Sequence, residues 1–425
     1  MIELQLFEQQ GERIVKSLAK RGVTDGEARV EHVRELNEKR KELQSSYDQR
    51  KAEANRISKE IGARYREGAA DEAETLKQEV SGMKKELQNL ELEQKAVAEE
   101  LETARFELPN VLHELVPHGQ SDADNEVIQP WKGDPAKLES KGKAHWELGE
   151  SYGLIDMGLG AKISGSGFPV LVGKAAKLQR ALISFFLDRA TDKGYTEYVP
   201  PLLVNADSAR GTGQLPDKEG QMYEVPADGL FLIPTAEVPL TNIYRDVIVD
   251  SDELPLKLTG YTPCFRREAG SYGSEVKGLN RVHQFDKVEI VRVEKPENSY
   301  AALEEMMQHV SKLLEDLELP YRVLRLCGGD TGFAAAMTYD FEVYAAGQDR
   351  WLEVSSVSNF ETFQAERLKL RVRSEGGNIL AHTLNGSALA LARIIACIME
   401  NGQTEAGIRI PKKLIPYTGF ELIER

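Results

Sequence analysis

Pro263-Cys-Phe-Arg-Arg-Glu-Ala-Gly-Ser-Tyr-Gly273, followed by Lys277-Gly-Leu-Asn-Arg281-Val-His283-Gln-Phe285-Asp-Lys-Val-Glu289, is the stretch on which the fold and the chemistry of this chain turn. Two apolar-flanked segments around a glycine-bearing loop predict a long β-hairpin. Arg266, Arg267, Lys277 and Arg281 concentrate positive charge in a chain that is acidic as a whole. Arginine's planar fork suits bidentate contacts to phosphate or carboxylate. Glu268 can hold one of these arginines or meet a nucleotide amino group, and Phe285 offers a π-face on which a purine can stack. The plainer reading is a surface hairpin stabilised by Arg–Glu pairs, with Phe285 in the core.

Three neighbouring segments extend the pattern. Gly194-Tyr195-Thr-Glu-Tyr198-Val-Pro200-Pro201 follows an amphipathic helix with Leu178, Leu182, Phe185 and Phe186 on one face. Trp351-Leu-Glu353-Val-Ser-Ser356 places a carboxylate and a hydroxyl on a strand, and His382-Thr-Leu-Asn-Gly386-Ser387 leads into a helix bearing Arg393. Helices are predicted over Lys174–Lys193, Ser299–Leu317 and Ala388–Asn401. Strands are predicted over Tyr195–Val199, Gly229–Ile233, Lys287–Val293, Tyr321–Leu326, Trp351–Val357 and Ile379–Thr383. Strands that follow strands as often as helices predict an α+β fold, a mainly antiparallel sheet with flanking helices. The familiar phosphate loops fail: Gly167 to Lys174 has one residue too many between glycines and no Ser or Thr after the lysine. Gly165, Gly167 and Gly173 read as turn glycines.

The amino-terminal quarter is different in kind. From about Ala28 to Leu108, apolar residues recur at alternating spacings of four and three: Val33, Leu36, Leu43, Tyr47, Ala54, Ile57 and Ile61, then Ala73, Leu76, Val80, Met83, Leu87, Leu90, Val97, Leu101, Ala104 and Leu108. Arg40 and Arg50 interrupt the first seam and Gln94 the second. Such a period buries one helix against another, and the Arg66-Glu67-Gly68 turn folds the two back into an antiparallel hairpin. Helices of about 38 residues are roughly 57 Å long. Arg29–Arg66 carries eleven basic and seven acidic residues, Ala70–Leu108 five and eleven, giving +4 beside −6. Two mutually attracting helices on a spacer would explain this, as would a basic track along a phosphate backbone. Pro109, Pro117, Pro130 and Pro135 mark a connector over about 109–146.

The 425 residues carry 54 Lys and Arg against 69 Asp and Glu, a net charge of −15, which disfavours indiscriminate binding to nucleic acid or anionic membranes. Cys264, Cys327 and Cys397 lie too far apart in sequence for a zinc motif or a disulfide framework, so no zinc is expected. Glu3 and Glu8 interrupt the amino terminus and Arg393 the apolar run near the end, so neither a signal peptide nor a membrane span is expected, and the chain reads as cytoplasmic.

These segments, in this order and spacing, resemble the three signature motifs of class II aminoacyl-tRNA synthetases. Across residues 1–425 the chain is similar to the bacterial seryl-tRNA synthetase family, coiled-coil arm included. Pro201 matches the proline of motif 1; Phe265 to Glu268 with Arg281 to Phe285 match motif 2; Arg393 matches the arginine of motif 3. Ala388, Ala390 and Ala392 stand where motif 3 favours glycines. The resemblance implies a tRNA-binding domain over 1–112, with helices at about 28–66 and 70–108, and a catalytic domain over 113–425.

It also implies ATP-dependent activation of L-serine and transfer to tRNA(Ser), with tRNA(Sec) as a further acceptor left open, in a homodimer whose arm reaches tRNA held largely across the other subunit. Arg266, Glu268 and Arg393 would form the catalytic set. Arg266, Arg267, Glu268, Arg281, Phe285, Glu353, Val354, Ser355, Ser356 and Arg393 would bind ATP, with Mg²⁺ on Glu353 and Ser356. Thr235, Ala236, Glu237, Arg266, Glu289, Asn385 and Ser387 would bind serine. His283 reads as a structural loop residue. Two other functions compete with this one: a related ligase charging a carrier protein, against which the long arm argues, and a non-catalytic coiled-coil scaffold, against which the retained motif residues argue.

Overall fold

The heptad seams become two long helices in the computed structural model, which describes residues 1–139, 142–217, 220–268 and 276–425. Helix α1 spans Gly26–Arg66 and helix α2 Ala70–Phe106, joined through Gly68 at φ +78°, a left-handed conformation that glycine adopts without strain. Val33, Leu36, Ala54 and Ile57 of α1 and Ala73, Val80, Met83, Val97 and Leu101 of α2 are buried. The polar interruptions have partners. Arg40 donates to the Asn37 side chain, Arg50 Nε meets Glu86 at 3.2 Å, and Gln94 donates to Gln44. Ion pairs between arginines of α1 and carboxylates of α2 are Arg50–Glu86 and Arg64–Glu72 among the described residues, so most of the basic residues of α1 are not consumed by the acidic helix.

These helices belong to one of two compact units, formed by Ile2–Ala19 and Val23–Pro109; the other comprises Asn110–Arg425 with Met1 and Lys20–Gly22. The second unit is built on an eight-stranded sheet: β1 Glu126–Gln129, β2 Thr196–Glu197, β3 Leu256–Phe265, β4 Gln284–Glu294, β5 Tyr321–Arg325, β6 Met337–Ala345, β7 Arg350–Glu361 and β8 His382–Ala390. The spatial order is β1-β5-β6-β7-β8-β4-β3-β2, antiparallel throughout except for the short β2–β3 pair. The hairpin of β3 and β4 runs in register from Gln284 opposite Phe265 to Val293 opposite Leu256. Its glycine-bearing tip, 269–275, lies outside the described residues.

Helices α3 His145–Ser151, α4 Lys174–Thr191, α5 Glu237–Asn242, α6 Ser299–Asp316, α7 Phe363–Leu368 and α8 Leu391–Asn401 accompany the sheet. One apolar core unites Leu178, Leu182, Phe185 and Phe186 of α4, Leu303 and Met306 of α6, and Ile394 and Ile395 of α8 with strand residues. Side chains alternate along β4: Val288 and Ile290 enter this core, while Lys287 and Glu289 point to the opposite face. On β8, Leu384 and Ala388 enter the core and Asn385 and Ser387 share the face of Glu289. That face is where the site forms.

Several element bounds differ from expectation. Ala388–Ala390 close strand β8 instead of opening the last helix, because Ala390 pairs with Lys287 across the ladder; alanine's helix preference yields to sheet pairing. The predicted strand at Ile379–Thr383 is two strands, Gly377–Leu380 and the start of β8, in different sheets. Strand Leu230–Leu232 also belongs to a separate, three-stranded sheet, and β6 is a strand beyond those predicted. No helix among the described residues is long and apolar enough to cross a membrane.

Ile57 packs with Ala54, Val80 and Met83 and is 2% exposed. Ile57→Ala should destabilise the hairpin by about 2–4 kcal/mol, read as faster proteolysis within 26–106 while the unfolding of the other unit is unchanged.

Candidate active site

Two groups of side chains lie on the open face of the sheet. The first surrounds Glu289, which is fully buried on β4. Lys287 Nζ lies 2.6 Å from Glu289 Oε2 and donates to Thr235 Oγ1 at 2.9 Å. Thr235 Oγ1 in turn donates to Glu289 Oε2 at 3.3 Å, and Asn385 Nδ2 to Glu289 Oε1 at 2.8 Å. Ser387 lies directly opposite Glu289 across the β4–β8 ladder. Ala236 is buried at the start of α5, where Glu237 N donates to Thr235 Oγ1 at 3.2 Å. The Glu237 carboxylate accepts from Gln364 Nε2 of α7 at 2.7 Å, and Gln364 Oε1 accepts from Thr383. Burial pushes Glu237 up to about 7; Glu289 adds to the rise, and Gln364, Lys287 and Arg266 oppose it.

The second group collects the charged ends of the strands. Arg266 follows the end of β3, its Nε donating to the Pro234 carbonyl at 3.3 Å and its guanidinium 5.2 Å from the centre of the Phe285 ring. Glu268, at φ +49°, meets Arg281 at 3.2 Å and not Arg266. Arg267 is exposed, with its backbone N–H held by Gln221. Arg393, in the first turn of α8, donates from Nη1 to the Glu353 carbonyl at 2.6 Å and carboxylate at 3.2 Å, and from Nε to the Asn280 carbonyl at 2.9 Å. Its Nη2 has no hydrogen bond among the described residues. Partial desolvation works to raise the half-exposed Glu353 carboxyl, but Arg393, Arg266 and Arg281 outweigh it and hold it below the usual range.

Within 353–356 the side chains diverge. The register of β6 against β7 slips so that Phe341 opposes Ser355 and Glu342 opposes Glu353. Val354 lies in the main core, and Ser355 Oγ donates to the Ser387 carbonyl at 2.6 Å, leaving Glu353 and Ser356 accessible. His283 is braced by Phe168, stacked at 5.1 Å, and by Tyr223 OH at 3.0 Å.

Sequence reasoning missed Lys287, Gln364 and Asp340. Lys287 stands two residues from Glu289, a spacing that puts both on one strand face and could have revealed the pair; Gln364 and Asp340 carry no local signal. Asp340 lies opposite Ser356, its Oδ1 buried and without a hydrogen-bond partner among the described residues. Burial, with Glu353 nearby, pushes its carboxyl well above the usual range. Glu353, Ser356 and this orphaned oxygen are hard donors suited to Mg²⁺. Among the described residues no three His, Cys, Asp or Glu side chains form a ready-made metal cage, so an ion here would complete its shell with phosphate and water.

Comparison with known proteins fits this arrangement. Residues 1–112 match the seryl-tRNA synthetase N-terminal domain, and residues 223–402 the tRNA synthetase class II core domain (G, H, P, S and T). The chain is 46% identical over 426 residues to the serine–tRNA ligase of Salinibacter ruber, covering 100% of this chain and 99% of that protein. The chain belongs to the seryl-tRNA synthetase family. The serine–tRNA ligase of Methylacidiphilum infernorum is likewise 46% identical, covering 98% of this chain and 99% of its own. Among solved structures, seryl-tRNA synthetase from Pyrococcus horikoshii complexed with ATP superposes with a TM-score of 0.92 at 36% identity, covering 100% of this chain and 99% of that one. A more distant likeness, to Giardia lamblia prolyl-tRNA synthetase at 15% identity and a TM-score of 0.57, bears on the fold alone.

The folded state of this family member holds a proton on Glu237 between its ordinary value of 4.5 and about 7, whereas the unfolded chain releases it. Stability from this group therefore falls as pH rises through that window. Glu237→Gln, which keeps the Gln364 contact, should be more stable than the parent by on the order of 2 kcal/mol at pH 8 and equal to it near pH 4.5, read from thermal unfolding at both pH values.

Proposed function

We propose that this chain is a serine–tRNA ligase in which Arg266 joins two subsites, one for serine and one for ATP. The observation that carries the proposal is geometric: Arg266 donates to the Pro234 carbonyl, next to Thr235 of the buried Glu289 cluster, and its guanidinium lies over the ring of Phe285. Serine's carboxylate attacks the α-phosphorus of ATP, forming the acyl–phosphate bond of seryl-adenylate as the bond to pyrophosphate breaks. The adenylate then acylates the terminal ribose hydroxyl of tRNA(Ser), releasing AMP. The nucleophile in each step belongs to a substrate, so the protein's work is alignment and stabilisation of charge.

Arg266 is assigned to the serine carboxylate and the α-phosphate, Arg281 and Arg393 to the outer phosphates, and Phe285 to the adenine face. Arg267, Glu268 and the 353–356 strand complete the nucleotide side. Glu353 and Ser356, with Asp340 behind them, would hold Mg²⁺, which when bound neutralises and orients phosphate oxygens. Thr235, Ala236 and Glu237 receive the ammonium, while Glu289, Asn385 and Ser387 read the hydroxyl. Alanine would bring no hydroxyl to these groups and would forfeit the hydrogen bonds that serine makes, and this is the basis for its rejection.

The arm over 1–112 is assigned to tRNA and 113–425 to catalysis; the basic residues left over on α1 support the first assignment. The same proposal includes a cytoplasmic homodimer. Its support is apolar surface: Val199 is 90% exposed beside Pro200 and Pro201, with Leu202, Leu203, Leu159 and Ile163 also exposed.

Serine-dependent ATP–pyrophosphate exchange is the test, and its absence would refute the reading. Arg266→Ala should lower exchange by about 100-fold or more, with the fold retained. Deleting residues 30–106 should preserve exchange and abolish transfer to tRNA(Ser); undiminished charging would remove the arm from the mechanism. Adding tRNA(Sec) to the transfer assay decides the second acceptor.

A further inference from the structure

We infer that His145 is a positioning residue for the nucleotide side of this site, holding the 279–281 backbone against helix α8 so that Arg393 and Arg281 are set for ATP. The inference rests on the assignment of those arginines to phosphate made above.

His145, in the first turn of α3, is fully buried. Its Nδ1 lies 2.7 Å from Glu400 Oε1, and its Nε2 accepts the backbone N–H of Leu279 at 2.8 Å. Those partners fix the neutral tautomer with the proton on Nδ1, because a carboxylate can only accept and an amide N–H can only donate. Glu400 is itself locked: Oε1 also accepts from His145 N and Gln348 Nε2, and Oε2 from the N–H groups of Gly347 and Gln348. Gln348 Oε1 then accepts from Asn280 Nδ2 at 2.7 Å.

The same stretch is held from the other end of α8. Arg393 and Glu400 are seven residues apart, about two helical turns, and so lie on one face. Arg393 Nε donates to the Asn280 carbonyl, while Glu400, through His145, grips the preceding amide of Leu279. The peptide groups on either side of the Leu279–Asn280 bond are thus clamped by one helix. Gly278, at φ +63°, lets the chain pass His145, since a Cβ there would sit 2.3 Å from Nε2. Lys277 lies 4.8 Å over the ring of Trp146, the neighbour of His145. Arg281, paired with Glu268, follows directly. His145 touches none of the proposed substrate groups; it acts through the backbone that orients the arginines.

Calorimetry of ATP binding with Mg²⁺, in the absence of serine, on the full-length variants tests this, alongside serine-dependent exchange. His145→Asn retains a donor for Glu400 at the Nδ1 position but loses the acceptor for Leu279. ATP affinity should fall about 10- to 100-fold, since small misplacements of aligned groups are costly, while the KM for serine stays within about twofold of the parent. His145→Gln, whose Oε1 reaches the Nε2 position, should recover most of the loss. Unchanged ATP affinity in His145→Asn, equal shifts for ATP and serine, or a glutamine variant no better than the asparagine one would each overturn the inference. Should His145→Asn not fold, Glu400→Gln decides: weaker ATP binding at unchanged serine KM supports the role, and unchanged ATP binding overturns it. A parent protein that binds ATP without serine-dependent exchange would refute the proposed reaction, yet the affinity comparison would still judge His145.

Discussion

Glu289 carries a carboxylate into the middle of an eight-stranded sheet with no exposure to solvent, and the cluster of side chains around it follows from how that charge is met. An isolated buried carboxylate is prohibitively unfavourable, so a counter-charge and hydrogen-bond donors must arrive together. Lys287 brings the charge from the same strand, Asn385 a donor from the neighbouring strand, and Thr235 a hydroxyl from the chain leading into α5. These contacts exist in one register of β3, β4 and β8. A slip of one residue would turn Glu289 into the space of Val288 and Ile290, where the apolar core offers it nothing.

The opposite side of the site solves the converse problem. Three arginines cluster in a chain of net charge −15, and part of their repulsion is absorbed by Glu353, whose carboxyl they hold below the usual range, and by Glu268, which pairs with Arg281. Glu353 and Glu268 thereby act as fixed partners, while Nη2 of Arg393 stays without a hydrogen bond among the described residues. The division between a neutralised pocket and a cationic rim is thus built into the order of residues along β3, β4 and β7. The whole-chain charge conceals it, as it conceals the +4 helix of the arm.

What was legible in the sequence was local. The heptad seams, the long hairpin and the amphipathic α4 follow from periodicities a few residues long, and Glu289, Asn385 and Ser387 fall on one face of the sheet. The misses are of two kinds. Ala388–Ala390 have the composition of a helix and the environment of a strand, and environment prevailed. Gln364, His145 and Glu400 matter through partners more than a hundred residues away, Glu237 for the first and each other for the latter two, so no window of sequence reveals them. Val354 illustrates a third limit: alternation with Leu352 sends its side chain into the core, and the register slip beside it returns Ser356 to the side of Glu353.

The middle of the arm has fewer buried apolar residues and more polar partners than its two ends: Tyr47 with Glu91, Gln44 with Gln94, Arg50 with Glu86. Apolar seams alone are nearly degenerate under translation by a heptad, because one leucine layer greets another equally well. These polar layers are not interchangeable. The hairpin therefore has a unique alignment of its two rods and behaves mechanically as a graduated rod, whose tip lies at one distance from its root.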